Sequence, residues 1–317
     1  FYFGLIPDAA AVRDYFRKKY GSRYWKTRFF GALALGWSGT LRQWRHYNRS
    51  YLYFAMLATP LVISVHSIVS WDFAVSLLPG WHSTIFPPYF VAGAIHSGLA
   101  MALTLLIPMR KLLGLEELIT HKHLHAIARL MVLTTLIIAY AYIVEPFIED
   151  YSGSIFHHQF SQWRMTGSMA WMYYLILVLN VVVPMSFLFE RVRRKIFWLF
   201  AASLLVNLGM WLERYMIVVG STAHDYMPHN WGSYLPTWVE LSISAGTAAL
   251  FIFLFLGFAK YLPVISIADF KDYLIREKMA EPRRHHQTVR TPAFIPGERQ
   301  RMFLFASPAG LINAVDI

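Results

Sequence analysis

Residues 52–76 read LYFAMLATPLVISVHSIVSWDFAVS, and this stretch decides the fold class. It is longer than the roughly 20 mostly apolar residues that a membrane-spanning helix needs. Because lipid offers no hydrogen bonds to the backbone, such a segment has to be helical. The sequence therefore predicts a membrane helix, and this helix carries two ionisable side chains, His66 and Asp72.

The composition agrees with a membrane protein. Of the 317 residues, 56% are hydrophobic and 15% are charged, whereas a soluble domain has about 25% charged residues. The net charge of +11 does not indicate a nucleic-acid partner, because basic residues alternate with apolar spans instead of lining one face. No cysteine is present, so this chain offers no thiolate to an iron–sulfur cluster or a thioether-linked haem. We predict an all-α, polytopic helical bundle in contact with membrane lipids.

Five further stretches have the same character. The predicted spans cover 52–76, 89–109, 124–146, 167–189, 195–219 and 237–259. The opening FYFGLIPD reads as the last turn of an earlier membrane helix that stops at Pro7 and Asp8. The predicted organisation is a helix end with a basic connection (1–50), a six-helix membrane domain (51–262) and a tail (263–317).

Basic residues alternate between the connections and so predict the direction of each span. The segment YFRKKYGSRYWKTRFF (15–30) is strongly basic, as are the connections after the second and fourth spans and the chain from Lys260 onward. The three other connections hold a single Lys or Arg, Arg164. Because basic loops stay cytoplasmic, residues 1–50 and the C-terminal tail are predicted to be cytoplasmic.

With these directions, most ionisable side chains inside the spans lie in the outer half of the membrane. A charge at the bilayer centre costs about 2.5–3.5 kcal/mol, so such groups usually face protein or water and often mark proton paths. Histidine and carboxylate groups can accept and release protons near neutral pH when burial shifts their pKa values. We predict catalytic roles for His66 and Asp72, and no metal site. The predicted proton path comprises His96, Glu145, Glu213 and Arg214.

Each of these residues also has a purely structural interpretation. His66 is equally well explained as a hydrogen-bond donor between helices, and His96 as a packing residue beside small neighbours. Arg214 is interpreted first as the counter-charge of a carboxylate such as Glu145 or Asp72. Glu145 itself fits a solvated carboxylate at a helix end.

Several long strings resemble a known family. They include GLIPDAAAVRD (4–14), SVHSIVSWDFA (64–74), PGWHSTIFPPYFVAGAIHSGLAM (79–101) and NLGMWLERYMIVV (207–219). They are similar to the integral membrane quinol subunits of the polysulfide reductase NrfD family, and most to the ten-helix membrane subunits of Alternative Complex III. The resemblance covers about residues 1–265 and implies a C-terminal portion, since family members have four helices before the GLIPD position.

The resemblance implies a subunit of a quinol:electron-acceptor oxidoreductase in the bacterial inner membrane. Menaquinol would bind near the outer face and pass electrons to an iron–sulfur, molybdopterin-like subunit, with no haem or iron–sulfur cluster in this chain. Further implied partners are multihaem cytochrome c subunits, a homologous membrane subunit and a terminal oxidase. His66 and Asp72 match a family string at the quinol pocket or proton path, and Glu145 and Arg214 match polar positions of the second bundle.

Three other functions compete with this one. A non-catalytic anchor would use the polar groups only for assembly. A haem-b subunit would need paired interior histidines, for which His66 and His96 have the right depth. A solute transporter would favour broken helices near the midplane, and mid-span proline and glycine residues are sparse here.

Overall fold

All regular structure in the described residues is helical. The structure, a computed structural model, describes residues 2–224, 226–227, 229, 231–232, 234–263, 266–267 and 270. The helices with described bounds are α1 (Tyr2–Tyr20), α2 (Trp25–Leu33), α3 (Leu41–Ala74), α4 (Phe86–Leu112), α5 (His121–Tyr151), α6 (Ile155–Thr166), α7 (Ala170–Leu188), α8 (Glu190–Arg193), α9 (Ile196–Ala223) and α10 (Trp238–Tyr261). The prediction of an all-α fold is confirmed.

Six of these helices are long and apolar enough to cross a membrane, namely α3, α4, α5, α7, α9 and α10. The six predicted spans are therefore confirmed, with longer ends at several of them. α3 begins at Leu41, well before its apolar part, and α5 continues past Pro146 to Tyr151. A proline inside a helix removes one backbone hydrogen bond and clashes with the carbonyl four residues back, and packing of α5 against its neighbours retains the helix beyond it.

The start of the chain differs from the prediction. α1 does not stop at Pro7 and Asp8, because it continues to Tyr20 with Pro7 inside it. Asp8 is buried, with 3% of its surface exposed. α1 packs along α2, where the rings of Phe16 and Phe30 stack with centroids 6.0 Å apart. This apolar contact stabilises the helix beyond the proline. Most of the predicted tail, 263–317, lies outside the described residues.

The chain divides into two compact units, and α3 runs from one into the other. The first comprises Phe1–Leu57, Leu113–Leu115 and Trp238–Ile317, so far as these residues are described. The second comprises Ala58–Leu112 and Glu116–Thr237. In the second unit, α4 packs against α5 and α9, and α7 packs against α5 and α9. The core of this unit is built from Phe86, Tyr89, Phe90, Ala92, Ile138, Ala141, Tyr142, Met169, Met172, Ile176 and Met216.

Two spans have large uncovered apolar faces. The most apolar stretch of α3 and that of α10 contain no residue buried by the described chain, whereas the corresponding stretches of the other four spans are 33–44% buried. Their exposed side chains include Leu57, Leu61 and Ile68 on α3 and Ile243 and Phe253 on α10. Apolar surface of this extent is suited to lipid or to a partner protein.

Two helices of the core contain π-helical turns. In α7 the turn covers Val178–Val182, and the Val183 amide donates to the Val178 carbonyl, five residues back. Pro184 explains this π-helical turn. A proline lacks the amide that would donate to the carbonyl of Asn180, and the proline ring clashes with that carbonyl. The second π-helical turn covers Met216–Gly220 in α9. Such turns rotate the side chains that follow and are frequent at functional sites.

Candidate functional site

Arg164 joins two carboxylates of α5 inside the second unit. Its Nη1 donates to Glu145 Oε1 at 2.9 Å, and its Nη2 donates to Glu149 Oε2 at 3.0 Å. The two glutamates are four residues apart on one helix and so share a face. All three side chains are buried, with 7% of Arg164, 11% of Glu145 and 7% of Glu149 exposed. We call these three residues the arginine triad.

The environment keeps Arg164 charged. Burial by itself would lower the pKa of Arg164, but Glu145 and Glu149 raise it more, so the pKa lies above its ordinary value. The guanidinium also lies 5.3 Å from the ring centroid of Tyr173 and 5.7 Å from that of Phe160. Aromatic faces attract cations. Arg164 is thus a permanent positive charge between the two acids of the triad.

A second buried group surrounds Glu213 of α9. The Tyr142 hydroxyl donates to Glu213 Oε2, and Asn180 Nδ2 donates to the same oxygen at 3.0 Å and to the Tyr142 hydroxyl at 2.9 Å. Glu213 is 3% exposed and Asn180 is fully buried. Three helices, α5, α7 and α9, each contribute one of these side chains. We call the three residues the Glu213 cluster.

Arg214 places a positive charge beside this cluster. Its Nη2 lies 3.5 Å from Glu213 Oε1, an oxygen that accepts no hydrogen bond within the described chain. The guanidinium packs over the Phe90 ring, 4.2 Å from its centroid. A Cβ atom added at Gly93 would meet Arg214 Nη2 at 2.9 Å, so the glycine leaves the space that this guanidinium needs.

Close backbone approach positions Asn180. A Cβ atom added at Gly209 would lie 2.2 Å from Asn180 Oδ1 and 2.7 Å from Leu179 Cβ, distances that real side chains do not adopt. α9 can therefore approach α7 only because residue 209 is a glycine. Together with the π-helical turn, this contact places the Asn180 amide against Glu213.

Further polar contacts continue along the same helices away from the glutamates. His96 is fully buried, and its Nδ1 lies 2.8 Å from Thr134 Oγ1. His96 Nε2 has no hydrogen-bond partner in the described part of the chain. Beyond it, Thr104 Oγ1 lies 2.9 Å from Ser203 Oγ and accepts from Asn207 Nδ2 at 3.0 Å. At about 1.5 Å per residue, His96 and Thr104 are ~12 Å apart along α4.

The structure does not bring His66 and Asp72 into these groups. His66 is half-buried, and its Nδ1 lies 2.8 Å from the Val62 carbonyl of its own helix. Asp72 is exposed, with no hydrogen bond or ion pair to another described residue. Their neighbour Phe73 does face inward, where its ring lies 5.6 Å from that of Phe90. Asp72 thus lies on an exposed face of α3, whereas His66 bonds only within its own helix.

The structural interpretation of Glu145 was wrong, and that of Arg214 was right in making it the counter-charge of a carboxylate but named other partners. Glu145 is not solvated at a helix end, because α5 continues to Tyr151 and α6 folds back over it. Arg214 forms its ion pair with Glu213, the residue before it. Glu145 is paired with Arg164 instead. Adjacent residues of a helix point in different directions, but long side chains can still meet.

Sequence reasoning missed Arg164, Glu149, Tyr142 and Asn180. Two signals were present: Arg164 is the single basic residue of the predicted outer connections, and Glu149 follows Glu145 at helical spacing. Nothing in the sequence marks Tyr142 or Asn180, since each is an ordinary polar residue within a span. Among the described residues, no group of three His, Asp or Glu side chains could hold a metal ion.

Fold and site define a class of protein: a multi-pass membrane protein whose helical core encloses a cluster of acidic, basic and amide side chains. Residues 25–224 match the model of the family described as polysulphide reductase, NrfD. The chain belongs to the NrfD polysulphide reductase family, so the resemblance is confirmed at family level.

One curated relative adds detail. A Halobacterium salinarum protein, named as a membrane subunit of dimethyl sulfoxide reductase, is 23% identical to this chain over 246 residues. The match covers 69% of this chain and 55% of that protein, so the chain spans about half the length of its relative.

Proposed function

We propose that this chain is the quinol-interacting membrane subunit of a respiratory oxidoreductase of the Alternative Complex III type. The chain would lie in the bacterial inner membrane, with residues 1–50 and the C-terminal tail on the cytoplasmic side. Menaquinol would bind near the outer face of this membrane. Its two electrons would pass to an iron–sulfur, molybdopterin-like partner, and from there to multihaem cytochrome c subunits and a terminal oxidase. A homologous membrane subunit would complete the membrane part.

The observation that carries the proposal is the arginine triad beside the Glu213 cluster, in a chain of the NrfD family. Burying three carboxylates in a membrane protein is costly, and groups that serve only for packing do not need it. Two of the acids are held by charge-assisted hydrogen bonds to Arg164. One oxygen of Glu213 accepts no hydrogen bond from a described residue and is therefore a candidate for receiving a proton.

His66 and Asp72 are proposed to receive the protons of the quinol. Oxidation of one menaquinol releases two protons and two electrons, and the partner cluster accepts the electrons. A histidine and a carboxylate are suitable proton acceptors. Asp72 is exposed on α3, and its neighbour Phe73 packs against Phe90, over whose ring the guanidinium of Arg214 lies. A quinone ring at this position would contact aromatic side chains, as most ligand pockets require.

The interior polar residues are proposed to conduct protons. From Glu213 the polar side chains continue to His96 with Thr134, and then to Thr104 with Asn207. Water molecules between these groups would complete the path, since the interval of about 12 Å between His96 and Thr104 along α4 exceeds a single hydrogen bond.

The deciding experiment replaces Asp72 with Asn in the assembled complex. Asn keeps the size of the side chain but cannot exchange a proton. We expect menaquinol oxidation per assembled complex to fall by about 10²–10⁴-fold, the usual contribution of a general base. Glu117→Gln, at an exposed position in the connection after α4, is the matched control. Unchanged oxidation and unchanged proton release in Asp72→Asn would remove its role.

The anchor alternative is supported by the uncovered faces of α3 and α10. If the chain only holds partners in the membrane, His66→Ala and Asp72→Asn will reduce the yield of the complex. Turnover per assembled complex will then remain at the wild-type level. Measuring yield and turnover on the same preparations separates the two functions.

A further inference from the structure

A cavity in the first unit lies apart from the groups discussed above. It has a volume of about 480 Å³ and is formed between α2 and the C-terminal end of α10. This volume lies within the range of small-molecule sites. Its lining includes the aromatic residues Trp25, Phe29, Phe258 and Tyr261 and the basic residues Lys26 and Lys260. No acidic side chain lines it within the described residues.

The lining of the cavity combines apolar surface with positive charge. Aromatic and aliphatic surface provides most of the walls and suits a hydrocarbon chain. Lys26 and Lys260 carry positive charge, and α2 begins at Trp25 without a side-chain cap from Tyr24. The amino end of a helix carries partial positive charge, which adds to that of the lysines. An apolar space beside fixed positive charge is complementary to an amphiphile with an anionic head.

The position of the cavity along α10 points to a lipid of the bilayer. Tyr261, at the last turn of a membrane span, is more than half exposed. Tyrosine, tryptophan and lysine at a span end are typical of the level of the lipid headgroups. Basic pockets between membrane helices at this level bind anionic headgroups.

We propose that this cavity binds an anionic glycerophospholipid. Lys26 and Lys260 contact its phosphate, and one acyl chain lies against Phe29 and Phe258. The inference is independent of the quinol chemistry, because none of these residues belongs to the arginine triad, the Glu213 cluster or the α3 face.

The test uses the purified complex with the full chain in phosphatidylcholine nanodiscs doped with a photoactivatable phosphatidylglycerol. Crosslinked peptides are identified by mass spectrometry. We expect labelling of residues 25–30 and 257–262 that unlabelled phosphatidylglycerol displaces and phosphatidylcholine does not. The double variant Lys26→Gln/Lys260→Gln should lower labelling by roughly tenfold or more, as removal of two cationic contacts predicts.

Two matched pairs of variants make the test specific. Lys18→Gln/Lys19→Gln removes the same charge from exposed positions of α1 outside the cavity and should retain labelling. Gly257→Leu fills the cavity and should reduce labelling with both lysines present. An added Cβ meets nothing within 4 Å at Gly257 or at Gly246. Gly246→Leu, on the same helix, is therefore the control.

Four results would overturn the proposal. The first is equal labelling by a phosphatidylcholine probe, and the second is an equal loss in Lys18→Gln/Lys19→Gln, since both would indicate general attraction to the surface. The third is displacement of the probe by inorganic phosphate as effectively as by phosphatidylglycerol, which would indicate a site for free anions. Labelling confined to residues outside the cavity would also contradict it.

Discussion

Removing the charge of Arg164 tests the arginine triad most directly. Arg164→Gln leaves Glu145 and Glu149 buried without their cation, and it removes two charge-assisted hydrogen bonds of 2.9 and 3.0 Å. Removing one partner of a buried ion pair costs about 3–5 kcal/mol, because the remaining charge stays desolvated and uncompensated. The three side chains are at most 11% exposed, so water cannot replace the arginine without a local opening. We expect the free energy of unfolding to fall by about 3–5 kcal/mol.

The assay is equilibrium unfolding of the purified protein in mixed micelles, followed by far-UV and near-UV signals. Asp150→Asn is the control, because Asp150 lies next to Glu149 but is exposed and pairs with His158 at 3.0 Å on the surface. Exposed pairs contribute about 0–1 kcal/mol. The triple variant Arg164→Gln/Glu145→Gln/Glu149→Gln should recover part of the loss, since it leaves no buried charge. A loss below about 1 kcal/mol in Arg164→Gln would refute the buried triad.

Two further predictions concern packing and pH. Gly209→Ala should lower the free energy of unfolding by about 1–3 kcal/mol through overpacking against Asn180. Gly246→Ala is the control and should not destabilise the protein, because a Cβ there meets nothing within 4 Å. Equal behaviour of the two variants would disprove the close approach. Burial lowers the pKa of His224, whose Nδ1 lies 3.1 Å from the Gly220 carbonyl. The neutral ring therefore stabilises the fold above the unfolded pKa of about 6.5, and this contribution is lost as the pH falls through the lower folded value. Unfolding measured against pH should show a steeper loss on acidification for wild type than for His224→Gln, and parallel curves would contradict this.

The spans were predictable because their signal is local. Length and apolarity decide whether a segment such as 89–109 can cross a bilayer. The backbone of a span must then form its hydrogen bonds internally, as a helix does. The predicted ends were less accurate for the same reason. Leu41 and Tyr151 lie beyond the apolar stretches, where packing and amphipathic turns extend α3 and α5.

The candidate site was predictable only in part. Depth along a span follows from sequence position, and so Glu145, Glu213 and His96 could be predicted as candidates from the sequence. Their partners did not follow, because a partner can come from any neighbouring helix. Arg164 reaches Glu145 only after α6 folds back over α5, and Asn180 reaches Glu213 only because of a π-helical turn and a glycine.

The sequence by itself determined a membrane protein with six spans, and it predicted ionisable groups concentrated toward one end. Both properties depend on the free energy of single residues in lipid, which is additive along the chain. The tertiary structure alone decided which of these groups are paired, which are buried and which, like Asp72, remain on an open face. Pairing depends on the rotation and distance of packed helices, and a shift of a few ångströms between helices changes every contact without changing the hydropathy of any span.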